Sequence, residues 1–262
     1  MKDVKQNKLK EEEIFKFLKK NCDLEWNLSL YEELESTNDY LIEVSNLNEY
    51  CLCVAESQTK GRGRNLKSWQ SPTYENIYMS LSFSTKGDLK NFSSFSLVTA
   101  LAVHNVLLRQ NISTEIKWPN DIYMNKKKLG GILIETFTRD RKNLIVVGIG
   151  LNIFMKNNTK IDRDWTSLEL EFEDIEIDRN EIISEIANEV LLSKLNFEKK
   201  GFDDFVKDFN RLNFLKDKKV FLSNSNNKEG TALDINSDGS LNVRMGNKTK
   251  KISSGEVSIK IN

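Results

Sequence analysis

Three short segments of this 262-residue chain place fixed cations beside glycines or a rigid Trp-Pro step. They are Gly61-Arg62-Gly63-Arg64, Lys117-Trp118-Pro119-Asn120-Asp121 and Lys128-Leu129-Gly130-Gly131. Glycine permits positive φ angles and close approach of the backbone to a ligand, and a guanidinium group presents a planar set of donors that suits phosphate or carboxylate. The three segments therefore predict a site for a phosphate-bearing or carboxylate-bearing ligand.

Each segment taken alone also has a purely structural interpretation. Glycine-arginine sequences also occur as solvated loops or RNA-binding segments, Trp118-Pro119 also fits a turn after a strand, and Lys126-Lys127-Lys128 also fits an exposed hairpin turn. Lys128 differs from its two neighbours because it directly precedes the apolar, glycine-containing segment 129–134. Glycines in a strand let a flat ligand or another backbone lie against it. We therefore expect Lys128 to face the interior.

Charge balance and missing motifs narrow the kinds of nucleotide site. Thirty-nine basic residues balance thirty-nine acidic ones, so the chain has no net field to hold a long polyanion. No phosphate-binding G-x-x-x-x-G-K-[ST] motif occurs, and Gly148-Ile149-Gly150 lacks the third glycine of a dinucleotide-binding turn. The sequence predicts a local site of another kind.

Histidine and cysteine content excludes further chemistries. The single histidine, His104, lies in the apolar segment 97–104, where a packed imidazole is expected, and this disfavours a Ser-His-Asp hydrolase. Cys51 and Cys53 alternate along a predicted strand, and Cys22 makes the number of cysteines odd. We expect neither a disulfide framework nor a protein metal site.

Hydrophobic periodicity predicts a mixed α+β body. Ser36 to Asp39 carries helix-capping residues, and Asp178 to Glu181 begins a second capped helix. Residues 77–83 alternate, with Ile77, Met79, Leu81 and Phe83 on one face. A long core helix is predicted at 92–110, and strands are predicted at 51–55, 77–83, 114–118, 122–124, 129–137 and 144–154.

The pattern divides the chain into three parts. Residues 1–24 form a short extension with one amphipathic helix, residues 25–216 form the body, and residues 217–262 form a small β-barrel. The barrel strands are predicted at 220–223, 231–235, 241–245 and 257–261, with turns at Asn226-Asn227 and 237–239.

A soluble, cytoplasmic protein without a membrane partner is expected. The start Met1 to Gln6 lacks the apolar region of a signal peptide. The apolar run 95–108 is interrupted by polar residues and is too short to span a bilayer.

Five motifs in this order closely resemble the biotin protein ligase family from about Tyr31 to the C-terminus. They are Ser36-Thr37-Asn38, residues 56–64 with Trp69, residues 117–121, residues 128–135 and residues 148–152, followed by the terminal Gly255-Glu256-Val257-Ser258. The resemblance implies a mixed β-sheet catalytic domain flanked by helices, of the class II synthetase-like or lipoate–biotin ligase type, with a C-terminal SH3-like barrel. The chain is similar to short members that lack an N-terminal DNA-binding domain, so no DNA partner is expected.

The resemblance also implies an activity. Members activate biotin with ATP to biotinyl-5′-AMP, release pyrophosphate, and transfer biotin to one lysine of a biotin carboxyl carrier protein. Mg²⁺ is expected to accompany ATP instead of occupying a protein metal site. The resemblance is compatible with a monomer or a homodimer.

The family pattern assigns residues to three roles. The catalytic residues are Arg64, Lys117, Asp121 and Lys128. The biotin-binding residues are Ser36, Thr37, Asn38, Gln58, Arg62, Gly63, Gly131, Gly148 and Gly150. The residues that bind ATP or the adenylate are Arg62, Arg64, Lys117, Asn120, Lys128, Asn152 and Trp165. Asp121 as a carboxylate that assists attack by the acceptor lysine is a hypothesis from its proximity in sequence to Lys117 and Lys128.

One departure and two alternatives accompany this interpretation. The loop continues as Asn65-Leu66-Lys67-Ser68 where some members carry more arginines, so its closure over the adenylate is expected to differ. A lipoate-protein ligase or octanoyltransferase shares the superfamily, although residues 61–64 and 117–121 favour biotin. An RNA-binding module built on the C-terminal domain would need clustered aromatic residues, and Phe221 is the lone aromatic there.

Overall fold

The computed structural model describes residues 8–21, 25–45, 49–157, 161, 164–173, 175–222, 228–254 and 259–261. The α-helices are α1 (Glu11–Asn21), α2 (Thr37–Val44), α3 (Phe95–Arg109), α4 (Leu168–Glu171), α5 (Arg179–Lys200) and α6 (Asp203–Leu212). The strands are β1 (Trp26–Leu34), β2 (Tyr50–Gln58), β3 (Ile77–Thr85), β4 (Glu115–Lys117), β5 (Asp121–Met124), β6 (Lys127–Arg139), β7 (Lys142–Leu151), β8 (Lys219–Leu222), β9 (Lys228–Ile235), β10 (Leu241–Met245), β11 (Lys248–Ile252) and β12 (Ile259–Ile261).

The body is built on a seven-stranded mixed sheet in the order β1-β2-β3-β7-β6-β5-β4. β1 and β2 are parallel, and the other neighbours are antiparallel. β6 and β7 form the predicted meander, which pairs Gly131 with Gly150 and Gly130 with Leu151. This register brings the beginning of the Lys128 segment beside the Gly148 to Gly150 segment, so two of the predicted motifs become neighbours.

Helices cover the sheet and account for its long buried strands. α2 contacts β2, β3 and β7, whereas α3 contacts β4, β5 and β6 and packs against α5. Phe83 and Phe95 pack edge to face with ring centroids 5.9 Å apart, and Phe197 lies 5.3 Å from Phe95. Burial of each such aromatic side chain contributes about 1.5–3 kcal/mol. The N-terminal α1, the predicted amphipathic helix, packs on α5, and its Ile14 and Leu18 are buried in the core.

The central strand β3 is buried on both faces. Its predicted apolar face, Ile77, Met79, Leu81 and Phe83, belongs to the core. The alternate residues Ser80 and Ser82 are also buried, and they hydrogen-bond to residues of α2 and its C-terminal end. A buried hydroxyl group needs such a partner, so α2 is held in register over the strand.

The long core helix begins differently from the expectation. Residues Leu89–Ser94 form a 3₁₀ helix, and the α-helix runs from Phe95 to Arg109. The continuous helical stretch Phe92–Arg109 is 18 residues long and has a mean hydropathy of 1.3. By length and composition alone it could cross a membrane, whereas the shorter apolar run 95–108 was expected to be too short to do so. In the structure 72% of this stretch is buried against the rest of the protein, which explains its apolar character.

Four helices and strands were not predicted from the sequence: β1, the one-turn helix α4, α6 and β11. β1 and β11 are edge strands, and β11 lacks hydrophobic alternation because four of its five residues are exposed. β1 does alternate at Trp26, Leu28 and Leu30, and this strand pattern was overlooked. Lysines on such an edge strand, as in β11, discourage pairing with other chains. α6 is amphipathic and buries Phe209, and it begins at Asp203, shortly after α5 ends at Lys200; no helix was predicted in this segment.

The C-terminal part is a five-stranded antiparallel sheet in the order β11-β10-β9-β8-β12. The predicted turn at 237–239 is present, with Gly239 at φ +78°. Trp118 Nε1 donates to the carbonyl oxygen of Gly239 at 3.0 Å and joins this sheet to the body. Cys22, the predicted turn Asn226-Asn227 and the motif Gly255 to Ser258 lie outside the described residues.

Candidate functional site

One cavity of about 940 Å³ gathers all of the predicted site residues. It lies where β2 and β7 end and where β6 begins. The predicted residues in its lining are Ser36, Thr37, Asn38, Gln58, Arg62, Gly63, Arg64, Lys117, Asn120, Asp121, Lys128, Gly131, Gly148, Gly150, Asn152 and Trp165. The sheet topology therefore joins segments that are up to 129 residues apart in the sequence.

The beginning of α2 supplies fixed polar groups on one wall. Ser36 is the N-cap, and its hydroxyl accepts a hydrogen bond from the backbone N–H of Asp39 at 3.3 Å, which confirms the predicted helix start. The backbone N–H and the hydroxyl of Thr37 both donate to Gln58 Oε1, at 2.9 and 3.1 Å. Because each group satisfies its neighbour, their orientations are set before any ligand arrives.

The absence of a side chain at Gly148 makes room for Asn38, which packs against it. Asn38 is buried, its Oδ1 accepts from Ser80 Oγ at 2.6 Å, and a Cβ atom added at Gly148 would lie 2.3 Å from that Oδ1. Such a separation is far inside van der Waals contact. Any side chain at position 148 would therefore displace the Asn38 amide.

The glycine-arginine loop turns in a place that was not predicted. Gly63 has φ −108°, and neither Gly61 nor Gly63 has a positive φ, so the expectation that these glycines supply positive φ is wrong. The left-handed residues are Asn65 and Leu66, both at φ +56°. Gly61 is required for close approach instead, since an added Cβ would lie 2.9 Å from the carbonyl oxygen of Trp69.

The indole ring of Trp69 lies over the glycines of β6 and β7. A Cβ atom added at Gly150 would lie 2.6 Å from the ring, and Lys128 Nζ lies 5.3 Å from a Trp69 ring centroid. Trp69 Nε1 is buried and has no hydrogen-bond partner within the described part of the chain. The ring therefore packs directly on the two glycine-bearing strands, and the absence of side chains at these positions lets it form part of the cavity wall.

Five cationic residues line the cavity, and three of them, Arg64, Lys117 and Lys128, are the predicted catalytic cations. Lys128 is 8% exposed and donates to Asp121 Oδ1 at 2.5 Å, which confirms that it faces the interior. Lys117 Nζ donates to the hydroxyl of Tyr123 at 3.1 Å and lies 5.0 Å from its ring centroid. Arg64 donates to the carbonyl oxygen of Ser254, and burial lowers the pKa of its guanidinium group, which nevertheless stays charged.

Arg62, in contrast, is held by carboxylates. Its Nη2 donates to both oxygens of Glu135 at 2.9 Å, and its Nη1 donates to Asp39 and, at 3.4 Å, to Ser36 Oγ. Donation of these hydrogen bonds, first to Asp39 and then to Glu135, raises the pKa of the guanidinium group. Neither carboxylate was assigned to the site. Glu135 is the last residue of the motif 128–135, and this position was the one signal in the sequence that could have identified it as a site residue.

The remaining predicted residues are hydrogen-bonded to backbone groups of the cavity wall. Asn120 Nδ2 donates to the carbonyl oxygen of Ile132 at 2.8 Å, and Asn152 Nδ2 donates to that of Thr166 at 2.9 Å. Trp165 forms a bridge with Lys128, where the Thr166 N–H donates to the Lys128 carbonyl oxygen at 2.9 Å. These bonds fasten the Trp165 segment across the beginning of β6.

Sequence reasoning missed the apolar part of the lining. Most of its members are aliphatic side chains on β-strands, and aliphatic groups carry no chemistry that a motif search would detect. The members include Met79, Tyr123, Ile132, Leu133, Ile149 and Ile161. A cavity that combines apolar walls with a few fixed polar groups is typical of small-molecule sites.

His104, Cys51 and Cys53 are buried in the protein and do not line the cavity. His104 is buried outside this cavity, with its Nδ1 2.9 Å from Thr114 Oγ1. Cys51 and Cys53 are free and buried, and burial raises the pKa of the Cys53 thiol. Among the described residues, no group of three or more His, Cys, Asp or Glu side chains is arranged to hold a metal ion.

A second cavity, of about 980 Å³, lies where β3 ends and β7 begins, away from the predicted site residues. Its lining carries four lysines, Lys86, Lys90, Lys142 and Lys194, and three acidic residues, Glu49, Glu198 and Asp238. Lys194 is paired with Glu198 at 2.9 Å. The two cavities are similar in size, but the convergent cations and fixed polar groups belong to the first.

Comparison with known proteins agrees with this geometry. Residues 30–152 match the Biotin/lipoate A/B protein ligase family, and residues 220–260 match the Biotin protein ligase C terminal domain. The chain is 30% identical over 242 residues to the bifunctional ligase/repressor BirA of Escherichia coli, covering 87% of this chain and 72% of that protein. It is 29% identical over 211 residues to the biotin–[acetyl-CoA-carboxylase] ligase of Mycobacterium tuberculosis, covering 78% of this chain and 77% of that protein.

A solved structure extends the similarity to the whole architecture. The biotin protein ligase of Aquifex aeolicus, in complex with biotin and ATP, superposes with a TM-score of 0.78 at 28% sequence identity. The match covers 90% of this chain and 99% of the Aquifex chain. Both the catalytic sheet and the C-terminal domain are matched, and a relative with 30% identity is covered over more than two thirds of its length. The chain belongs to the biotin protein ligase family.

Proposed function

We propose that this protein is an ATP-dependent ligase that converts biotin to biotinyl-5′-AMP and transfers the biotinyl group to a lysine of a biotin carboxyl carrier protein. The observation that carries the proposal is the arrangement of one cavity. Arg64, Lys117 and Lys128 lie in its wall together with the fixed polar groups at the beginning of α2. The biotin and ATP bound to the Aquifex relative support the choice of substrates.

The α2 wall suits the head group of biotin. A ureido group carries donors and an acceptor, and a buried site must match them with polar groups of fixed orientation. In the proposal Ser36, Thr37 and Gln58 face the ureido group, Asn38 and Gly148 lie beside it, and Gly131 and Gly150 lie under Trp69. The apolar lining takes the ring and the acyl chain, whose burial stabilises the complex by about 25 cal/mol per Å².

The three cations suit the first step. An oxygen of the biotin carboxylate bonds to the α-phosphorus of ATP while the bond to pyrophosphate breaks, so two anions must approach each other. In the proposal Arg64 and Lys128 contact the carboxyl–phosphate junction and Lys117 lies near the phosphates. Because these cations are already partly desolvated, their interaction with the crowded phosphoryl oxygens is stronger than in water.

The proposal brings Mg²⁺ in with the phosphates of ATP. Asp121 is the only carboxylate among the described residues that line the cavity, and it is paired with Lys128. This donor set fits the usual arrangement in which Mg²⁺ keeps several water ligands and is held mainly by substrate phosphates. When bound there, the ion would neutralise phosphate charge, while Asn120, Asn152 and Trp165 form the wall for the nucleoside.

The second step needs an amine that has lost its proton. The acceptor lysine attacks the acyl carbonyl carbon, and AMP leaves. His104 is buried elsewhere, so no histidine of the chain serves this cavity. In the proposal, Asp121 is the carboxylate that assists proton removal, and catalysis otherwise depends on positioning.

We further propose that the chain functions as a catalytic domain, residues 25–216, with a small β domain, residues 217–262, and a short extension, residues 1–24. The hydrogen bond from Arg64 to the Ser254 carbonyl supports a direct part for the β domain in placing the glycine-arginine loop. The extension supports the body through α1, which packs on α5.

Acylation of a carrier domain tests the proposal. The protein, ATP and Mg²⁺ are incubated with a biotin carboxyl carrier domain and either biotin, lipoate or octanoate, and the carrier is analysed by intact-mass spectrometry. The expected result is addition of one biotinyl group to one lysine, with no lipoyl or octanoyl adduct. An adduct formed with lipoate or octanoate but not with biotin would assign the protein to the other branch of its superfamily.

A further inference from the structure

We propose that Glu135 is a positioning residue that sets the biotin side of the cavity by holding Arg62 and Asn38 together. The inference rests on the proposed biotin ligase function for its kinetic consequence, and on the structure alone for the placement of the loop. Glu135 was not among the residues that the family pattern assigns to the site.

Glu135 accepts hydrogen bonds from two segments that are distant in sequence. Arg62 Nη2 donates to Glu135 Oε1 and Oε2, each at 2.9 Å, and Asn38 Nδ2 donates to Oε2 at 2.7 Å. The side chain of Glu135 is 29% exposed and that of Arg62 is 19% exposed. Charge-assisted hydrogen bonds with this geometry, partly shielded from water, are among the stronger polar interactions in proteins.

The contact with Asn38 fixes which way its amide faces. An ionised carboxylate only accepts hydrogen bonds, so the nitrogen of the Asn38 amide must face Glu135. Its oxygen then faces Ser80 Oγ, 2.6 Å away, and the tight space at Gly148. Glu135 thereby determines which polar atoms of Asn38 are presented beside the predicted ureido site.

The contact with Arg62 fixes the glycine-arginine loop. Arg62 is bound to Glu135 on β6 and also to Asp39 on α2, so the loop is fastened to two elements at once. Arg64, two residues later, contacts no carboxylate at hydrogen-bond distance and donates to the Ser254 carbonyl among the described residues. The two arginines are therefore used differently: the charge of Arg62 is balanced within the protein, and its function is to hold Arg64 at the cavity.

A second Arg–Glu–Asn group elsewhere in the chain, with a more exposed arginine and longer hydrogen bonds, supplies a control of the same composition. On the surface of α5, Glu189 accepts from Arg109 at 3.2 Å and from Asn105 at 3.3 Å, and its side chain is 24% exposed. Its partners Arg109 and Asn105 are absent from the cavity lining, whereas Arg62 and Asn38, the partners of Glu135, belong to it. Glu135→Gln and Glu189→Gln remove the same charge from the same kind of Arg–Glu–Asn group, but only the first group lies beside the cavity.

Limited trypsin digestion tests the loop without any substrate. Freed from Glu135, the loop is expected to be cleaved at Arg62, Arg64 or Lys67 at least about fivefold faster in Glu135→Gln, because cleavage follows the population of open loop. Glu189→Gln is expected to be cleaved at the rate of the unmodified protein. Equal cleavage rates in all three proteins would overturn the positioning role.

Steady-state biotin-dependent pyrophosphate exchange tests the kinetic consequence. Glu135→Gln is expected to raise the KM for biotin about tenfold or more, with less than about a twofold change in the KM for ATP and an unchanged thermal midpoint. Arg62→Lys should also raise the KM for biotin. The double variant should raise it little more than the worse single variant does, because both substitutions remove the same interaction. A rise in both KM values, or an equal effect of Glu189→Gln, would overturn the inference.

The two readouts separate this inference from the proposed function. Absence of biotin-dependent exchange in the unmodified protein would remove the proposed function, and the trypsin comparison would still decide whether Glu135 holds the loop. Exchange in the unmodified protein with unaltered biotin KM in Glu135→Gln would remove the inference and leave the proposed function intact.

Discussion

Lys128 donates to Asp121 across 2.5 Å, from the beginning of β6 to the beginning of β5. The pair joins two of the three predicted catalytic motifs, and both side chains are largely shielded from solvent, at 10% and 21% exposure. An amine of the acceptor protein and an acyl-adenylate would meet a cation and a carboxylate in one place. In the proposed reaction the cation of Lys128 serves adenylate formation, and the carboxylate of Asp121 serves transfer to the acceptor amine.

Asp121→Asn is predicted to slow the transfer step selectively. Asparagine retains an oxygen that accepts from Lys128 but cannot take up the proton of an attacking amine, so transfer from preformed biotinyl-5′-AMP should fall about 100-fold. Single-turnover transfer to a carrier domain measures this rate. Asp140→Asn, in the exposed turn between β6 and β7, is the control that should transfer normally. Normal transfer by Asp121→Asn would remove the carboxylate from the mechanism.

Lys128→Ala is predicted to lower adenylate formation by about 10²–10³-fold, because it deletes a cation that faces the crowded phosphoryl oxygens. The adjacent Lys127 is exposed, so Lys127→Ala should form adenylate at the unmodified rate. Single-turnover formation of biotinyl-5′-AMP provides the measurement, and circular dichroism melting checks the fold. If the thermal midpoint of Lys128→Ala falls enough to explain its lost activity, Lys128 is a structural residue.

Much of this site could be predicted because its parts are local. Capping residues at Ser36, the Trp118-Pro119 step and the apolar segment after Lys128 each specify their own short stretch of backbone, and the order of the motifs indicated the family. The sequence pattern also placed β6 and β7 next to each other. The pairing of Gly131 with Gly150 follows from that hairpin.

The parts that were missed depend on contacts distant in the sequence. Glu135 acquires its role only when Arg62, 73 residues earlier in the chain, is folded onto β6. The left-handed turn at Asn65 and Leu66 replaced the expected turn at the glycines, because Gly61 is needed for close approach to the Trp69 backbone. Strand β11 buries only one of its five residues, so it carries no alternation, whereas the alternation of Trp26, Leu28 and Leu30 in β1 was a local signal that was overlooked.

Glu56→Gln is predicted to destabilise the fold. Glu56 and Arg179 form an ion pair at 2.8 Å with side chains 2% and 1% exposed, and Glu56 also accepts from the backbone N–H of Leu9. Removing one charge of a buried pair costs about 3–5 kcal/mol, because the remaining charge stays buried. Urea unfolding measures the free energy of unfolding.

The control for this substitution is a solvent-exposed ion pair. Lys200 and Asp204 form such a pair at 2.7 Å on the surface, and Asp204→Asn should leave the urea midpoint essentially unchanged. A midpoint for Glu56→Gln that equals that of the unmodified protein would show that the buried pair is not needed for stability.

His104 is predicted to make stability fall in mild acid. Burial, followed by the nearby charge of Arg211, lowers the pKa of the imidazole in the folded protein. Above about pH 6.5 both states are neutral and His104 contributes nothing to the pH dependence. Below that value the unfolded chain binds a proton that the folded protein resists, so the free energy of unfolding decreases until the lowered folded pKa is reached.

Urea midpoints at about pH 7.5 and pH 5.5 measure this loss. In His104→Gln, whose amide can also bond to Thr114, the decline between these two pH values should be smaller than in the unmodified protein. An equal decline in both proteins would assign the acid sensitivity to carboxylates.

The most direct measurement of the central claim is exchange of labelled pyrophosphate into ATP. The unmodified protein is predicted to catalyse exchange that requires biotin and Mg²⁺ and that is nearly abolished in Arg64→Ala and Lys128→Ala while both variants stay folded. Exchange that requires lipoate and is indifferent to biotin would contradict the account.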